Sequence, residues 1–205
     1  MKKIIYIGIL LLCSVGWLRG QEQDSTAGWD FSSDLNFYLI PDDFFMVPIF
    51  RADKNNLHLE ARYNYEDRET FSGWIGYNFS GGDDVFSYTF TPMLGGVGGL
   101  SNGVAPGLEL TLTYKKFELY SEMENLFDLK NSENNFYYNW ADLTYSPTDW
   151  LWFGISGQRT RLFQTALDIQ RGLLVGVGLK NFELNTYVYN IGDDPFLILT
   201  LSANF

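Results

Sequence analysis

From residue 57 onward, apolar and polar side chains alternate at a period of two, the pattern of strands with one face in each of two environments. Leu57, Leu59, Ala61, Tyr63 and Tyr65 interleave with His58, Glu60, Arg62, Asn64 and Glu66. Leu108, Leu110, Leu112 and Tyr114 alternate with Glu109, Thr111 and Thr113. Past Lys115 and Lys116 the pattern resumes, with Phe117, Leu119, Ser121 and Met123 set against Glu118, Tyr120, Glu122 and Glu124. Phe182, Leu184, Thr186 and Val188 alternate with Glu183, Asn185, Tyr187 and Tyr189. The last run sets Leu197, Leu199, Leu201, Ala203 and Phe205 against Ile198, Thr200, Ser202 and Asn204.

The connections fall into two sets that alternate along the chain. Residues 52–56, 81–84, 115–116, 146–149 and 180–181 are short, whereas 41–43, 66–70, 95–106, 126–135, 160–168 and 190–195 are generally longer and more varied. A meander with short turns at one end and long loops at the other predicts a closed, antiparallel, up-and-down transmembrane β-barrel, all-β, of about twelve strands. Pro48 interrupts Phe44–Phe50 and cannot donate to a ladder, so ten strands is the alternative if that hairpin is absent. The inward and outward phase of 86–94 and 159–171 is not set by the pattern. The glycine-rich 95–107 lacks the lysine of a phosphate loop and reads as a flexible external loop.

Residues 1–20 have the order of a secretory signal peptide: Lys2 and Lys3, an apolar run Ile4–Leu12, then Gly20 before Gln21. Residues 21–28 read as a mobile tail and 29–205 as the barrel. Loss of Lys2, Lys3 and Arg19 would leave 25 acids against 11 bases, a net charge of about −14. That balance excludes a nucleic-acid partner, which requires a basic face. The one cysteine, Cys13, lies in the leader, which excludes disulfides and cysteine-ligated metals from the barrel. Its alternative use, as the lipidated residue of a lipoprotein, is disfavoured by Leu12 before it.

On the signal, the whole-chain meander and the final strand FLILTLSANF ending in Phe205, the chain resembles bacterial outer-membrane β-barrels of the porin-like kind. The resemblance implies a Gram-negative outer-membrane location, contact with its lipid, and recognition of the last strand by the barrel-assembly machinery. It implies no particular cargo. Phe79, Tyr114, Phe117, Tyr145, Phe182 and Phe205 then fall outward beside short turns as an aromatic girdle, with Tyr65, Phe71 and Tyr137 at the opposite rim.

Inside the barrel, pairing across Lys115–Lys116 places Glu109 opposite Glu122, with Glu124 one inward step further. Like charges across a ladder destabilise it, so something must offset them. Glu60, Glu118, Asp142 and Glu183 add acid, and Arg62 is the base with a clear inward position. Arg159, Arg161 and Arg171 are further basic candidates. Acids and arginines could pair and fill the lumen. Alternatively, excess acid along a narrow water-filled path would favour cations, and Gly76, Gly154, Gly176 and Gly178 would leave room for it. The second arrangement is expected, with a constriction formed by Glu60, Arg62, Glu109, Glu118, Glu122, Glu124 and Asp142.

Asp42 and Asp43 end the first strand, and Asp193 and Asp194 precede the last, so barrel closure would gather four carboxylates suited to calcium at the outer rim. No cofactor is expected otherwise. The expectation is a passive channel for small solutes with a cation bias, and not an enzyme. Two alternatives stand beside it: a structural or loop-binding barrel without a pore, and an outer-membrane hydrolase built on the one histidine, His58, which has no serine near it in line.

Overall fold

The computed structural model describes residues 28–160 and 169–205. The strands are β1 (Asp30–Ile40), β2 (Asp43–Lys54), β3 (Leu57–Tyr63), β4 (Thr70–Tyr77), β5 (Phe79–Gly82), β6 (Phe86–Gly99) and β7 (Gly103–Tyr114). They continue with β8 (Phe117–Asp128), β9 (Phe136–Thr148), β10 (Leu151–Arg159), β11 (Gln170–Leu179), β12 (Phe182–Tyr189) and β13 (Phe196–Asn204). Each is antiparallel to its neighbours, β1 pairs with β13, and the pairing of β4 with β6 closes the ring. β4 and β5 form one stave, because both pair with β6 in a single unbroken register: Gly76 faces Met93 and Phe79 faces Phe90. Asn78 sits at the break and ties it down, donating to Asp53 and accepting from Thr91, each at 2.7 Å. The result is a closed barrel of twelve staves.

At one end the hairpins are tight. Lys115 and Lys180 take φ of 56°, the left-handed conformation that a two-residue turn requires. In the 83–85 turn the Asp83 carboxylate accepts the N–H groups of Phe86 and Val85, which lowers its pKa below the usual carboxylate range. The other end carries the longer loops, but one of its connections is far shorter than expected. The glycine-rich stretch is not a loop: β6 and β7 run on to a turn at 100–102. Glycine fits here because the inward Gly95 and Gly107 face the indole of Trp74, where a Cβ would lie 2.5 and 2.8 Å from ring atoms. Pro48 does not break β2. It sits one residue before the β2–β3 ladder begins at Ile49 and Arg62, and the Asn64 side chain donates to the Met46 carbonyl where β3 has departed.

The outer face is apolar over most of its height. In β6 it presents Phe86, Tyr88, Phe90 and Leu94, and in β11 Leu173, Val175, Val177 and Leu179, all exposed. No helix among the described residues could cross a membrane; the strands do so instead, since a closed sheet leaves no backbone group unpaired in hydrocarbon. Phe79, Tyr114, Phe117, Phe182 and Phe205 are exposed beside the tight turns, and Tyr145 packs between Phe117 and Phe153. Phe71 and Tyr137 are exposed at the opposite rim. Tyr65 is not with them: it is buried, because β3 ends at Tyr63 and the left-handed Asn64 (φ 58°) reverses the alternation.

The interior is less uniformly polar than the alternation of β3, β7 and β8 predicts. Its loop-side half is filled by Tyr38, Phe45, Val47, Tyr65, Tyr138, Tyr189, Phe196 and Ile198. A second buried group, Trp74, Met93, Val97, Ala105 and Leu126, lines the β4–β8 wall. A twelve-stave barrel is narrow enough for opposing side chains to meet, and apolar side chains fill that space without leaving polar groups unsatisfied. Nor do the inward glycines leave open space. Trp152 lies across Gly176 and Gly178, Gly76 is packed by Met93 and Thr91, and Gly154 lies against the Leu143 carbonyl.

Two outcomes follow from this packing. Gly95→Ala overpacks the Trp74 contact and costs about 1–3 kcal/mol, and Trp74→Leu in the same chain recovers most of it; urea titration of the refolded barrel measures both. Leu143→Arg, at mid-height on the outer face of β9, costs about 2–4 kcal/mol in lipid vesicles, whereas Thr144→Arg beside it on the lumen side costs less.

Candidate functional site

Lumen chemistry is set by which inward positions of neighbouring strands share a level. β7 and β8 place Glu109 directly opposite Glu122, as the hairpin register requires. The repulsion is offset by two groups. The Tyr120 hydroxyl lies 3.0 Å from a Glu109 oxygen and 3.2 Å from a Glu122 oxygen, and Arg62 reaches across the lumen from β3 to Glu122 at 2.6 Å and Glu124 at 3.2 Å. The Arg62 side chain is fully buried, with its guanidinium 4.4 Å from the ring centre of Tyr65 and 4.6 Å from that of Trp74. It also donates through Nε to Glu60 at 2.5 Å. One cation thus holds three glutamates from two opposing strands.

Glu60 is the second junction. Besides Arg62, it accepts Arg51 Nε at 2.9 Å and meets His58 Nε2 at 2.9 Å. Arg51 continues to Asp34 on β1 at 2.5 Å, and His58 Nδ1 to Asp53 on β2 at 2.8 Å. Arg51, Asp34 and Asp53 belong to this network yet were not singled out in the sequence. Their alternation lies in β1 and β2, where inward Phe45, Val47 and Ile49 and the proline mask the period. His58, Glu60 and Glu109 are the described residues whose metal-ligating atoms converge, within 4.8 Å. They suit a cation poorly, since both Glu60 oxygens already meet basic groups and two guanidiniums flank them. With both ring nitrogens on carboxylates and the ring inside the barrel, His58 forms no serine–histidine pair.

Asp142 stands on the opposite wall without a basic partner. It accepts from the Trp140 indole at 2.9 Å, from the Tyr187 hydroxyl at 3.0 Å and from Ser156. Glu118 and Glu183, at the tight-turn mouth, also make no ion pair among the described residues. Glu118 accepts only a long bond from Thr113, at 3.3 Å. The three acids line a cavity of about 320 Å³ with Tyr120, Trp152 and Asn185. A second, of about 230 Å³, shares Tyr120, Asp142, Asn185 and Tyr187 with the first and extends inward past Arg51, Glu109 and Glu122 to Tyr38, Tyr65 and Tyr138. The lumen therefore has a charge-compensated cluster around Arg51 and Arg62 and, toward the tight turns, a cavity lined by acids without basic partners among the described residues.

The basic candidates of the loop side do not join this network. Arg159 and Arg171 occupy the outward phase of β10 and β11, because Ser156, Gln158 and Gln170 take the inward positions. Arg159 donates to the Tyr137 carbonyl at 2.7 Å and covers the Phe136 ring. Arg161 lies outside the described residues. The four rim aspartates are not brought together as a ligand set: Asp43 is ion-paired with Arg68, and Asp42, Asp193 and Asp194 belong to no converging group of ligand atoms.

A closed twelve-stave antiparallel barrel with an apolar exterior is the architecture of transmembrane β-barrels. Two solved structures share this fold. A KdgM porin matches with a TM-score of 0.59 at 15% identity, over 85% of this chain and 99% of that one. The KdgM porin in complex with disordered oligogalacturonate gives 0.60 at 15% identity and the same coverage. The Acinetobacter baumannii outer membrane protein Omp33 gives 0.48 at 12% identity, over 87% and 98%. No protein-family model and no curated protein matches the chain.

Replacing Arg62 by Met leaves Glu60, Glu122 and Glu124 without their shared cation, and stability falls by roughly 3–5 kcal/mol. Adding Glu122→Gln to Arg62→Met restores part of the loss. Denaturant unfolding followed by the band shift of the folded barrel measures both.

Proposed function

We propose that this chain is an outer-membrane, porin-like channel that passes small solutes with a bias for cations. The observation that carries the reading is the acidic wall, where Glu118, Asp142 and Glu183 line one cavity with no basic partner among the described residues. Uncompensated carboxylates in a low-dielectric passage concentrate cations and exclude anions. The same acidity argues against a polyanion such as the oligogalacturonate held by the KdgM porin. The tight-turn end, which carries the wide end of the path, faces the periplasm under this reading. Phe205, exposed at the end of β13, serves as the signal for membrane assembly.

The packed loop-side half supports a second reading. The rings of Tyr38 and Phe45 stack at 4.6 Å and those of Tyr189 and Phe196 at 4.9 Å inside the barrel. An apolar constriction of this kind can exclude water and close a pore. The barrel would then be a structural or ligand-binding element whose cavity opens only toward the tight turns.

Planar-bilayer recording separates the two. Under a salt gradient the channel reading predicts a reversal potential of cation-selective sign that shrinks toward zero in the Glu118→Gln, Glu183→Gln double variant. No conductance from correctly folded barrel, or anion selectivity, contradicts it.

A further inference from the structure

The cavity at the tight-turn mouth is more than an acidic vestibule, because an indole packed over bare backbone lines its wall. Trp152 of β10 sits beside Gly176 of β11, which pairs in turn with Asn185 of β12. A Cβ on Gly176 would clash with the indole nitrogen, and one on Gly178 would lie 3.2 and 3.3 Å from Cζ3 and Cη2. The ring therefore packs over the bare backbone of β11, and Trp152 lines the cavity. The ring is fixed by its N–H, which donates to Asn185 Oδ1 at 2.7 Å. Glu183 pairs with Gly178, and its Cγ lies 3.8 Å from the point that a Cβ there would occupy, so the acid borders the outer edge of the indole. Glu118 and Asp142 line the same cavity, and neither they nor Glu183 has a basic partner among the described residues.

An immobilised indole face bordered by carboxylates recognises a weakly hydrated organic cation. The ring quadrupole attracts the charge, the methyl or methylene groups bury against the ring, and the acids supply the long-range field. A neutral sugar would use the same platform but leave three carboxylates unneutralised. A bare alkali ion would use the acids but gain little from the ring. We propose that this mouth is a binding site for small organic ammonium compounds, which makes them the preferred solutes of the barrel. The proposal rests on the acidic-wall reading given above, but binding at the mouth does not require that the pore conduct.

The test uses the refolded full barrel in detergent, with tetramethylammonium chloride as the probe. Potassium chloride, glucose and the uncharged tert-butanol serve as comparisons. Titration calorimetry and quenching of tryptophan fluorescence read binding, and single-channel block from the tight-turn side reads it independently where current is present. Tetramethylammonium is expected to bind more tightly than all three comparisons. Trp152→Leu is expected to weaken it by about tenfold or more, Trp152→Phe to retain part of the affinity, and Glu183→Gln to weaken it less than Trp152→Leu. The band shift of the folded barrel verifies each variant. Binding that depends on Trp152 in a barrel that passes no current supports the site while removing the channel reading. Cation-selective current with no preference for tetramethylammonium over potassium overturns the site and leaves the channel reading intact. Equal binding of glucose, or indifference to Trp152→Leu in folded protein, also overturns it.

Discussion

A sheet closed in hydrocarbon must satisfy every backbone N–H and C=O within itself, and the rest of this molecule follows from that requirement. Closure requires a complete ring, and the twelve staves with their tilt and stagger fix the width of the interior. Two-sided alternation then becomes obligatory, with one face meeting lipid and the other meeting the opposite wall. In a barrel this narrow the opposite wall is close enough to touch. Arg62 on β3 reaches glutamates on β8, and Trp74 reaches the bare glycines of β6 and β7. The lumen is thus as much a packed core as a passage.

The packing is unevenly shared, and the imbalance is where function enters. On the β3–β8 wall, Arg51 and Arg62 hold the carboxylates that closure brings together, so their charge is largely spent on structure. On the β9–β12 wall no arginine or lysine points inward among the described residues. Asp142 is held by hydroxyl and indole donors, which bind the carboxylate without cancelling its charge. The field in the cavities is therefore set by the acids without partners, although more acids sit on the filled wall.

Much of this was legible in the sequence, and the gaps have physical causes. Strand period, turn lengths and the Glu109–Glu122 register are local properties, and the hairpin across Lys115–Lys116 reproduces them residue by residue. What could not be read locally was three-dimensional complementarity. The glycines at 95, 107, 176 and 178 resemble loop or pore-widening residues until the indoles that overlie them are known. Tyr65 turned inward because a single left-handed residue, Asn64, reversed the phase. Arg51 and Asp34 were hidden because the inward face of β1 and β2 mixes apolar and charged side chains, leaving no simple period. Arg159 and Arg171 were in view but lay on the outward face, which short glycine-containing runs do not disclose.

The central claim is that one wall of the lumen is open and negative while the other is closed. Single cysteines placed in the barrel, in a chain with Cys13 replaced by serine, test this through their reaction rates with methanethiosulfonate reagents of opposite charge. A cysteine replacing Thr144, on the acidic wall, should react, and faster with the cationic reagent than with the anionic one. A cysteine replacing the fully buried Ser72, on the filled wall, should be protected from both. Equal rates for the two reagents at 144, or ready modification at 72, would contradict the account.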